Sequence, residues 1–496
     1  MRTTIFIGIF YILSINIFAQ EVSIKFNIDG YTEPIGQLGF HQGKSMRLQD
    51  TIAFDGKGYA QYNRASKLPE GIYFLYLSNG QWFDIIMNKD QTFEISTKAS
   101  DVIANVNIKG NEENSVFYEF MKFSQKENKK ISPYRQLMDS LDISNKKDSL
   151  EILKLRKKIK PISESVDAYR ARIIKEHPDY FISKIFKSMI PVEVPKFSEI
   201  KDNKERQKKR ALYNQEHYFD NLDFADERFV RTHQSILFDR LEYYKDNLIY
   251  PVPDSVINSI DRIMTKAKGP EMYKFLVFYF TKAYENSKLM CFDKVKLHMY
   301  QNYFLGDTRA TWVTKETEGK LNDIIEKIKD NQCGNEAPSL VIPDSAGTKA
   351  TQQETNFISL KSIKNKYVVL YFWSATCGHC KKTTPVLDSI YKSMKKKIDI
   401  EILTICIDDQ KKKKEFKDYI AKHNFEWIIA WGDKNYNGFR TKYNVFSTPT
   451  MYLLDEDKKI IGKDLNPEML ERIVYQLEDI KLPEKEEVKK EKTIKH

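Results

Sequence analysis

The sequence predicts a multidomain chain, with an N-terminal antiparallel β domain, an α-helical middle domain and a C-terminal α/β domain. Three observations carry this reading. Residues 22 to 108 alternate apolar and polar side chains in short runs divided by glycine turns. From about Asn111 to Gln332 the apolar residues recur at helical spacing. After Gly334, strand-like and helix-like runs alternate, the order that builds a parallel sheet with helical crossovers. The chain has 496 residues, 41% of them hydrophobic and 30% charged, which gives it an ordinary globular balance and enough length for several cores.

Residues 1–19 read as a secretory signal. Arg2 supplies the positive start, Ile5 to Phe18 the apolar core, and Ala19 the small residue before the polar Gln20-Glu21. The core is shorter than the roughly 20 residues of a membrane span and contains Ser14 and Asn16. Cleavage after Ala19 is expected to export the chain, to the periplasm; left uncleaved, the segment would hold it at the membrane. No later segment is apolar enough to span a bilayer, so the mature chain is expected to carry no membrane span.

Residues 20–110 form the β-rich domain. Runs such as Val22 to Ile28 and Ile72 to Leu77 alternate with period two, and Gly30, Gly56, Gly58 and Gly80 mark the turns between them. His41 has no Cys, His or carboxylate at metal-ligand spacing and is read as structural.

Residues 111–332 form the helical domain. Leu150, Leu153, Ile159, Ile162, Val166, Tyr169 and Ile173 mark one long amphipathic helix, with a kink expected at Pro161. Further helices are expected at 178–190, 228–247, 270–286 and 288–305. The aromatic run from His217 to Phe224 is read as core packing.

Residues 333–480 form the α/β domain. A lead-in loop with Gly334, Pro338 and Pro343 opens it, and Tyr367 to Trp373 is a continuous apolar run of the length of a buried central strand. A helix starting near Cys377 follows, then a strand 401–407, a helix 412–423, a strand 426–430, a short helix 439–443, strands 450–454 and 459–462, and a last helix 467–477. The charged, apolar-poor tail 481–496 is expected to be disordered.

The five cysteines, Cys291, Cys333, Cys377, Cys380 and Cys406, are too few and scattered for a disulfide scaffold. Cys291 and Cys333 have the option of pairing, which the sequence leaves open. Cys377-Gly378-His379-Cys380 carries the chemistry. Two cysteines three positions apart at a helix start share one face, where free amide donors and the helix dipole stabilise a thiolate. Cys377, nearest that terminus, is the expected nucleophile with a depressed pKa, and Cys380, one turn inside, resolves the mixed disulfide. A protonated His379 beside Cys377 favours its thiolate, which stabilises the reduced form and makes the couple more oxidising. Thr448-Pro449, ahead of an apolar strand, is a candidate cis peptide that leaves the Thr448 backbone free to pair with an extended substrate. Trp373, Thr448 and Pro449 are the expected substrate contacts. No cofactor is expected beyond the redox-active pair itself, and no metal.

The segment Phe372-Trp-Ser-Ala-Thr-Cys-Gly-His-Cys-Lys-Lys382, together with Thr448-Pro449, resembles the thioredoxin superfamily. The lead-in Gly334-Asn-Glu-Ala-Pro338 looks like its TlpA/ResA and peroxiredoxin-related branch, and the stretch from Cys380 to Pro449 leaves room for the extra helix and strand of that branch. Upstream, Leu222-Asp-Phe-Ala-Asp-Glu-Arg228 and Ala310-Thr-Trp-Val313 are similar to segments of multidomain TlpA-like proteins exported by Gram-negative bacteria. The resemblance implies thiol:disulfide exchange with protein or small thiols and an additional redox partner, in a reductase, oxidase or isomerase direction that is left open. Two departures stand out. Many relatives carry a buried carboxylate that assists proton transfer where this chain has Tyr371, six positions before Cys377, and Thr383, three after Cys380, and they commonly carry a Trp just before the first cysteine where this chain has Thr376.

Other classes fit less well. The net charge of +11 comes from 80 basic against 69 acidic residues, interspersed, and runs such as Lys411 to Lys414 read as solvated helix faces, so no nucleic acid is expected. A peroxiredoxin-like peroxidase would need a Thr or Ser three residues and a Pro seven residues before its cysteine; Ser374 fits and Leu370 does not. A zinc site lacks a second ligand pair near Cys333 or Cys406. The non-enzymatic alternative is a ligand-binding or scaffold protein with a thioredoxin-like module.

Overall fold

The structure is a computed structural model, which describes residues 21–142, 145–287, 289–343, 357–432 and 438–482. The expected signal 1–19 and all but the first two residues of the expected tail 481–496 lie outside them. Its contacts gather into two units, one of residues 1–250 with 261–275, the other of 251–260 with 276–496.

The first unit opens with eight strands, β1 (Val22–Asp29), β2 (Ile35–Gln42), β3 (Ser45–Ala53), β4 (Tyr59–Arg64), β5 (Gly71–Leu77), β6 (Trp82–Met87), β7 (Thr92–Lys98) and β8 (Asn107–Lys109). They form two four-stranded sheets, ordered β4-β1-β7-β8 and β3-β2-β5-β6. Alternation decides the faces: Val22, Ile24, Phe26 and Ile28 of β1 are buried while their neighbours are not. Gly58 is required where it stands, since φ is +87° and a Cβ would meet the Ile28 carbonyl oxygen at 2.0 Å. The expected antiparallel pattern holds except for one pair, β1 and β7, which run parallel. β1 opens the domain, and β7 follows β5 and β6 of the other sheet, so the chain reaches β7 by crossing through that sheet rather than by a hairpin.

Helices α1 (Glu112–Asp139), α2 (Lys146–Glu176), α3 (Phe181–Ser188), α4 (Asn203–His217) and α5 (Phe238–Tyr243) follow in this unit. Asn111 caps α1 by accepting from the Asn114 amide, and the fully buried Asn114 side chain bonds both N–H and C=O of Ile86 at 2.8 Å. α2 continues as helix through Pro161. The expected helix 228–247 is broken: a 3₁₀ turn spans Glu227–Arg231, then α5 begins and ends in a π turn at Tyr244–Leu248. The segment 222–228 is organised by charge, with Asp226 accepting from Arg228 at 2.6 and 2.8 Å and from Lys184 at 2.8 Å.

Helices α6 (Pro253–Met264) and α7 (Pro270–Tyr284) divide between the units. The second unit continues with α8 (Asp293–His298), which extends into a π turn at Met299–Leu305, and α9 (Lys315–Ile328). Its α/β part holds β9 (Val341–Pro343), β10 (Phe357–Ser359), β11 (Tyr367–Trp373), α10 (Gly378–Met394), β12 (Ile400–Cys406), α11 (Lys413–His423), β13 (Ile428–Trp431), α12 (Phe439–Lys442), β14 (Thr450–Leu454), β15 (Ile460–Lys463) and α13 (Pro467–Leu477). The five-stranded sheet is ordered β13-β12-β11-β14-β15. β11, β12 and β13 are parallel; β14 and β15 are antiparallel to their neighbours.

β11 is central and buried on both faces, which is why its seven residues are all apolar or aromatic. Val369, Tyr371 and Trp373 face a core with Leu387, Tyr391 and Met394 of α10 and Leu470 and Val474 of α13. Val368, Leu370 and Phe372 face the opposite core with Phe439 and Tyr443. The 387, 391, 394 spacing is one helical stripe, and truncating such a residue to Ala costs roughly 2–5 kcal/mol. A disulfide joins Cys291 to Cys333, the pairing that the sequence left open.

Candidate functional site

The carboxyl end of β11 delivers the chain into a tight arch, Ser374-Ala375-Thr376, before α10 begins. The arch is closed by the Cys377 amide donating to the Ser374 carbonyl at 3.3 Å. Cys377 is then the N-cap of α10, in extended conformation (φ −75°, ψ 124°), and its Sγ accepts from the Cys380 amide at 3.4 Å. A sulfur in the place of a Ser or Asp cap receives the donors that the first turn cannot satisfy internally. Both thiols are free in this state.

The two sulfurs differ by environment. Partial burial works against the Cys377 thiolate, but the Cys380 amide, the Thr448 side chain, the Cys380 thiol and the His379 amide together hold its pKa below the ordinary 9.0. Burial pushes Cys380 the other way, up to about 12, with the Ser374 backbone opposing it. A half-buried, activated sulfur therefore lies ahead of a buried, protonated one.

The Thr448–Pro449 bond is cis, and the Thr448 carbonyl accepts from Cys377 Sγ at 3.5 Å. The loop ahead of β14 and the start of α10 thus meet at the nucleophile. His379 is exposed on the first turn, and its backbone is the part that reaches Cys377. Trp373 does not lie where the sequence reading put it. At 2% exposure it is a core residue, its ring 5.3 Å from Tyr419 and 6.0 Å from Phe416, because the last residue of a central strand still has α11 packed over it. It supports the site from beneath and offers no face to a substrate.

Where relatives were expected to hold a carboxylate, the Tyr371 hydroxyl meets Thr384 Oγ1 at 2.9 Å in a buried contact. Thr384, rather than Thr383, is the buried member of that pair. Burial drives the Tyr371 pKa well up, so it is no base at neutral pH.

Sequence reasoning missed Asp408. Two residues past β12, its buried carboxylate accepts from Ser374 Oγ at 2.5 Å, from the Ala375 amide at 2.8 Å, and from Thr376 Oγ1 and Cys406 Sγ at 3.5 Å. Lys412 Nζ donates to Thr376 Oγ1 at 3.0 Å from the other side. The available signal was topological: a carboxylate just after the strand that neighbours the cysteine-bearing strand. Cys406 itself is buried inside β12's end, with burial raising its pKa to about 12. Among the described residues no group of three or more His, Cys, Asp or Glu is arranged to hold a metal ion, and no helix is long and apolar enough to cross a membrane.

Residues 365–460 match the model of a family described as thioredoxin-like, and residues 151–331 match a domain of unknown function, DUF5106. Over 149 residues the chain is 31% identical to the thiol-disulfide oxidoreductase ResA of Bacillus cereus, covering 30% of this chain and 79% of that protein. Over 121 residues it is 29% identical to a thioredoxin-like protein of Haemophilus influenzae, covering 24% of this chain and 67% of that protein. Among solved structures, a thioredoxin-like protein from Bacteroides caccae aligns at 18% identity over 58% of this chain and 99% of its own, with a TM-score of 0.43. The thioredoxin domain of a thiol-disulfide oxidoreductase from Bacteroides vulgatus aligns at 27% identity over 29% of this chain and 96% of its own, with a TM-score of 0.25.

Proposed function

Through its C-terminal domain the chain belongs to the thioredoxin-like thiol-disulfide oxidoreductases, and from that premise we propose that it exchanges disulfides with protein thiols outside the cytoplasm through Cys377 and Cys380. The observation that carries the proposal is the asymmetry of the two sulfurs: Cys377 caps α10 with a lowered pKa while Cys380 is buried with a raised one.

In the reducing direction the Cys377 thiolate attacks one sulfur of a partner disulfide. A mixed disulfide forms and the other partner sulfur leaves as a thiolate, which takes a proton from solvent. Cys380 then gives up its proton and attacks Cys377 Sγ, closing the Cys377–Cys380 disulfide and releasing the second partner thiol. Two electrons pass from the chain to the partner, and the reverse sequence oxidises a partner dithiol. Thr448 and Pro449 supply the backbone against which the partner lies, and the segment 1–19 supplies export. The donors gathered at Cys377 favour its thiolate and so the reduced form, and the couple is expected to be less negative than the roughly −270 mV of thioredoxin in equilibrium with glutathione.

The test is turnover of a disulfide-bonded protein substrate. Cys377→Ser is expected to abolish it, and Cys380→Ser to accumulate mixed disulfides through Cys377. Exchange that survives Cys377→Ser would end this reading.

A further inference from the structure

The run Lys411 to Lys414 reads from sequence as a solvated face, yet the fold brings it to the nucleophile. Lys412 Nζ donates to the hydroxyl of Thr376, the residue directly before Cys377. On the other side the Lys381 amide donates to the Cys377 carbonyl at 3.1 Å, which puts Lys381 one helical turn after the nucleophile and on its face of α10. Lys381, Lys382, Lys411 and Lys412 are all exposed. Among the described residues none of these four lies within ion-pair distance of a carboxylate, whereas Lys414, farther off, pairs with Asp418 at 3.6 Å.

Two carboxylates at this edge, Asp408 and Asp409, are held by donors of their own segment or of the arch. Asp408 is buried beneath the arch, bonded to Ser374 and Ala375. Asp409 caps the turn of the lysine run by accepting from the Lys411 amide at 3.1 Å. On a third side, two residues before Thr448, Phe446 is 65% exposed, with Lys327 of α9 over its ring at 5.7 Å. A large exposed ring is of the residue type enriched where proteins dock, and lysines around such a contact act through charge at its rim.

We infer that this rim selects acidic polypeptides, docking a partner whose reactive disulfide or dithiol is flanked by Asp and Glu. The inference rests on the exchange reading above and adds its substrate class. Charge complementarity names the occupant: the rim offers cations on both flanks of Cys377, and among the described residues none of Lys381, Lys382, Lys411 and Lys412 is paired with a carboxylate. The footprint argues for a polypeptide over a small anionic disulfide such as oxidised glutathione, because the cations and the aromatic ring come from three separate elements, α10, the turn leading into α11, and the loop before β14. Rim charges of this kind act chiefly on the rate of encounter, and salt weakens them.

The test uses the full reduced chain and matched disulfide peptides with acidic, neutral and basic flanks, with oxidised glutathione as a fourth probe. At low salt the acidic peptide is expected to oxidise the protein about tenfold faster than the neutral one, within the range of electrostatic steering, and the basic peptide more slowly still. The spread should collapse near 1 M salt, where the screening length falls to about 3 Å. The triple variant Lys381→Glu, Lys382→Glu, Lys411→Glu should invert the ratio of acidic to basic rates. Equal rates for the three peptides at low salt, or a ratio untouched by the triple variant, would overturn the inference while leaving exchange itself intact. Glutathione reacting faster than the acidic peptide would overturn the polypeptide assignment. Failure of every probe to oxidise the protein would instead overturn the exchange reading on which the inference stands.

Discussion

Asp408 accepts a hydrogen bond from the Ser374 hydroxyl at 2.5 Å and, through its second oxygen, one from the Ala375 amide at 2.8 Å. The end of one strand thereby fixes the arch that leads out of its neighbour, and Ser374 passes the constraint on, since its carbonyl receives the Cys377 amide. Asp408→Asn keeps one acceptor oxygen and turns an N–H donor toward the other of these two donors. The substitution should cost about 1–3 kcal/mol in denaturant unfolding, the penalty for buried groups left unpaired. If Asp408 positions the nucleophile, the pH profile of Cys377 alkylation should shift in this variant and return toward that of the parent in Asp408→Glu; a purely structural role would lower stability and leave the profile alone.

The opposed thiol shifts give a second prediction. In the reduced protein, iodoacetamide should modify Cys377 first, with a rate that rises through a pKa below 9.0, while Cys380 and Cys406 stay unreactive until the fold opens. Stability follows the same signs. The folded pKa of Cys377 is depressed, so its contribution is present above the unfolded value of 9.0 and is lost as pH falls through the lower folded value. The folded pKa of Cys380 is raised, so its contribution is complete below 9.0 and is lost as pH climbs from there toward 12. Relative to the disulfide form, where neither group titrates, the dithiol form should gain stability as pH rises to about 9 and lose it beyond, read as the difference between the two melting temperatures.

Much of the second unit could be read ahead of the structure because its signals are local. The apolar run Tyr367–Trp373, the strand Thr450–Leu454 and the helix Pro467–Leu477 stand where the residues put them. The resemblance carried by the cysteine motif agrees with the ResA match. What was not legible depended on pairing across distance. β1 and β7 are parallel partners more than sixty residues apart, and no period within either strand encodes that. α4 has no buried residue, so its charged sequence gave no stripe to detect. Trp373 and Asp408 were misjudged or missed for one reason: the role of a residue at a strand end is set by what the neighbouring element lays over it.

The Cys291–Cys333 disulfide closes a loop with a sequence separation of 42, linking the start of α8 to the lead-in of the α/β part. Chain entropy for a loop of that length gives about 4 kcal/mol of stabilisation. The double variant Cys291→Ser, Cys333→Ser should therefore unfold at markedly lower denaturant while keeping Cys377 reactive. Unchanged unfolding would mean that the reduced chain already restrains this loop.

The same junction is held by a buried ion pair. Lys463 of β15, 4% exposed at its side chain, donates to Asp293 of α8 at 2.5 Å and to both the carbonyl and side-chain oxygens of Asn331 at 3.0 and 2.8 Å, so its three protons are all engaged. Asp293 also receives Gln332 Nε2 at 2.7 Å. Bringing both charges out of water offsets much of their attraction, which makes the pair expensive to break and cheap to replace. Lys463→Ala should cost about 3–5 kcal/mol, because it strands the Asp293 carboxylate in a site where Gln332 is its remaining donor. Replacing both partners with apolar residues of similar size, Lys463→Met with Asp293→Leu, should recover most of that loss. The two outcomes separate a charge left uncompensated from a contact valuable in itself: if the double variant is as unstable as Lys463→Ala, the attraction between the charges, rather than the desolvation of an orphaned carboxylate, is what holds β15 to α8.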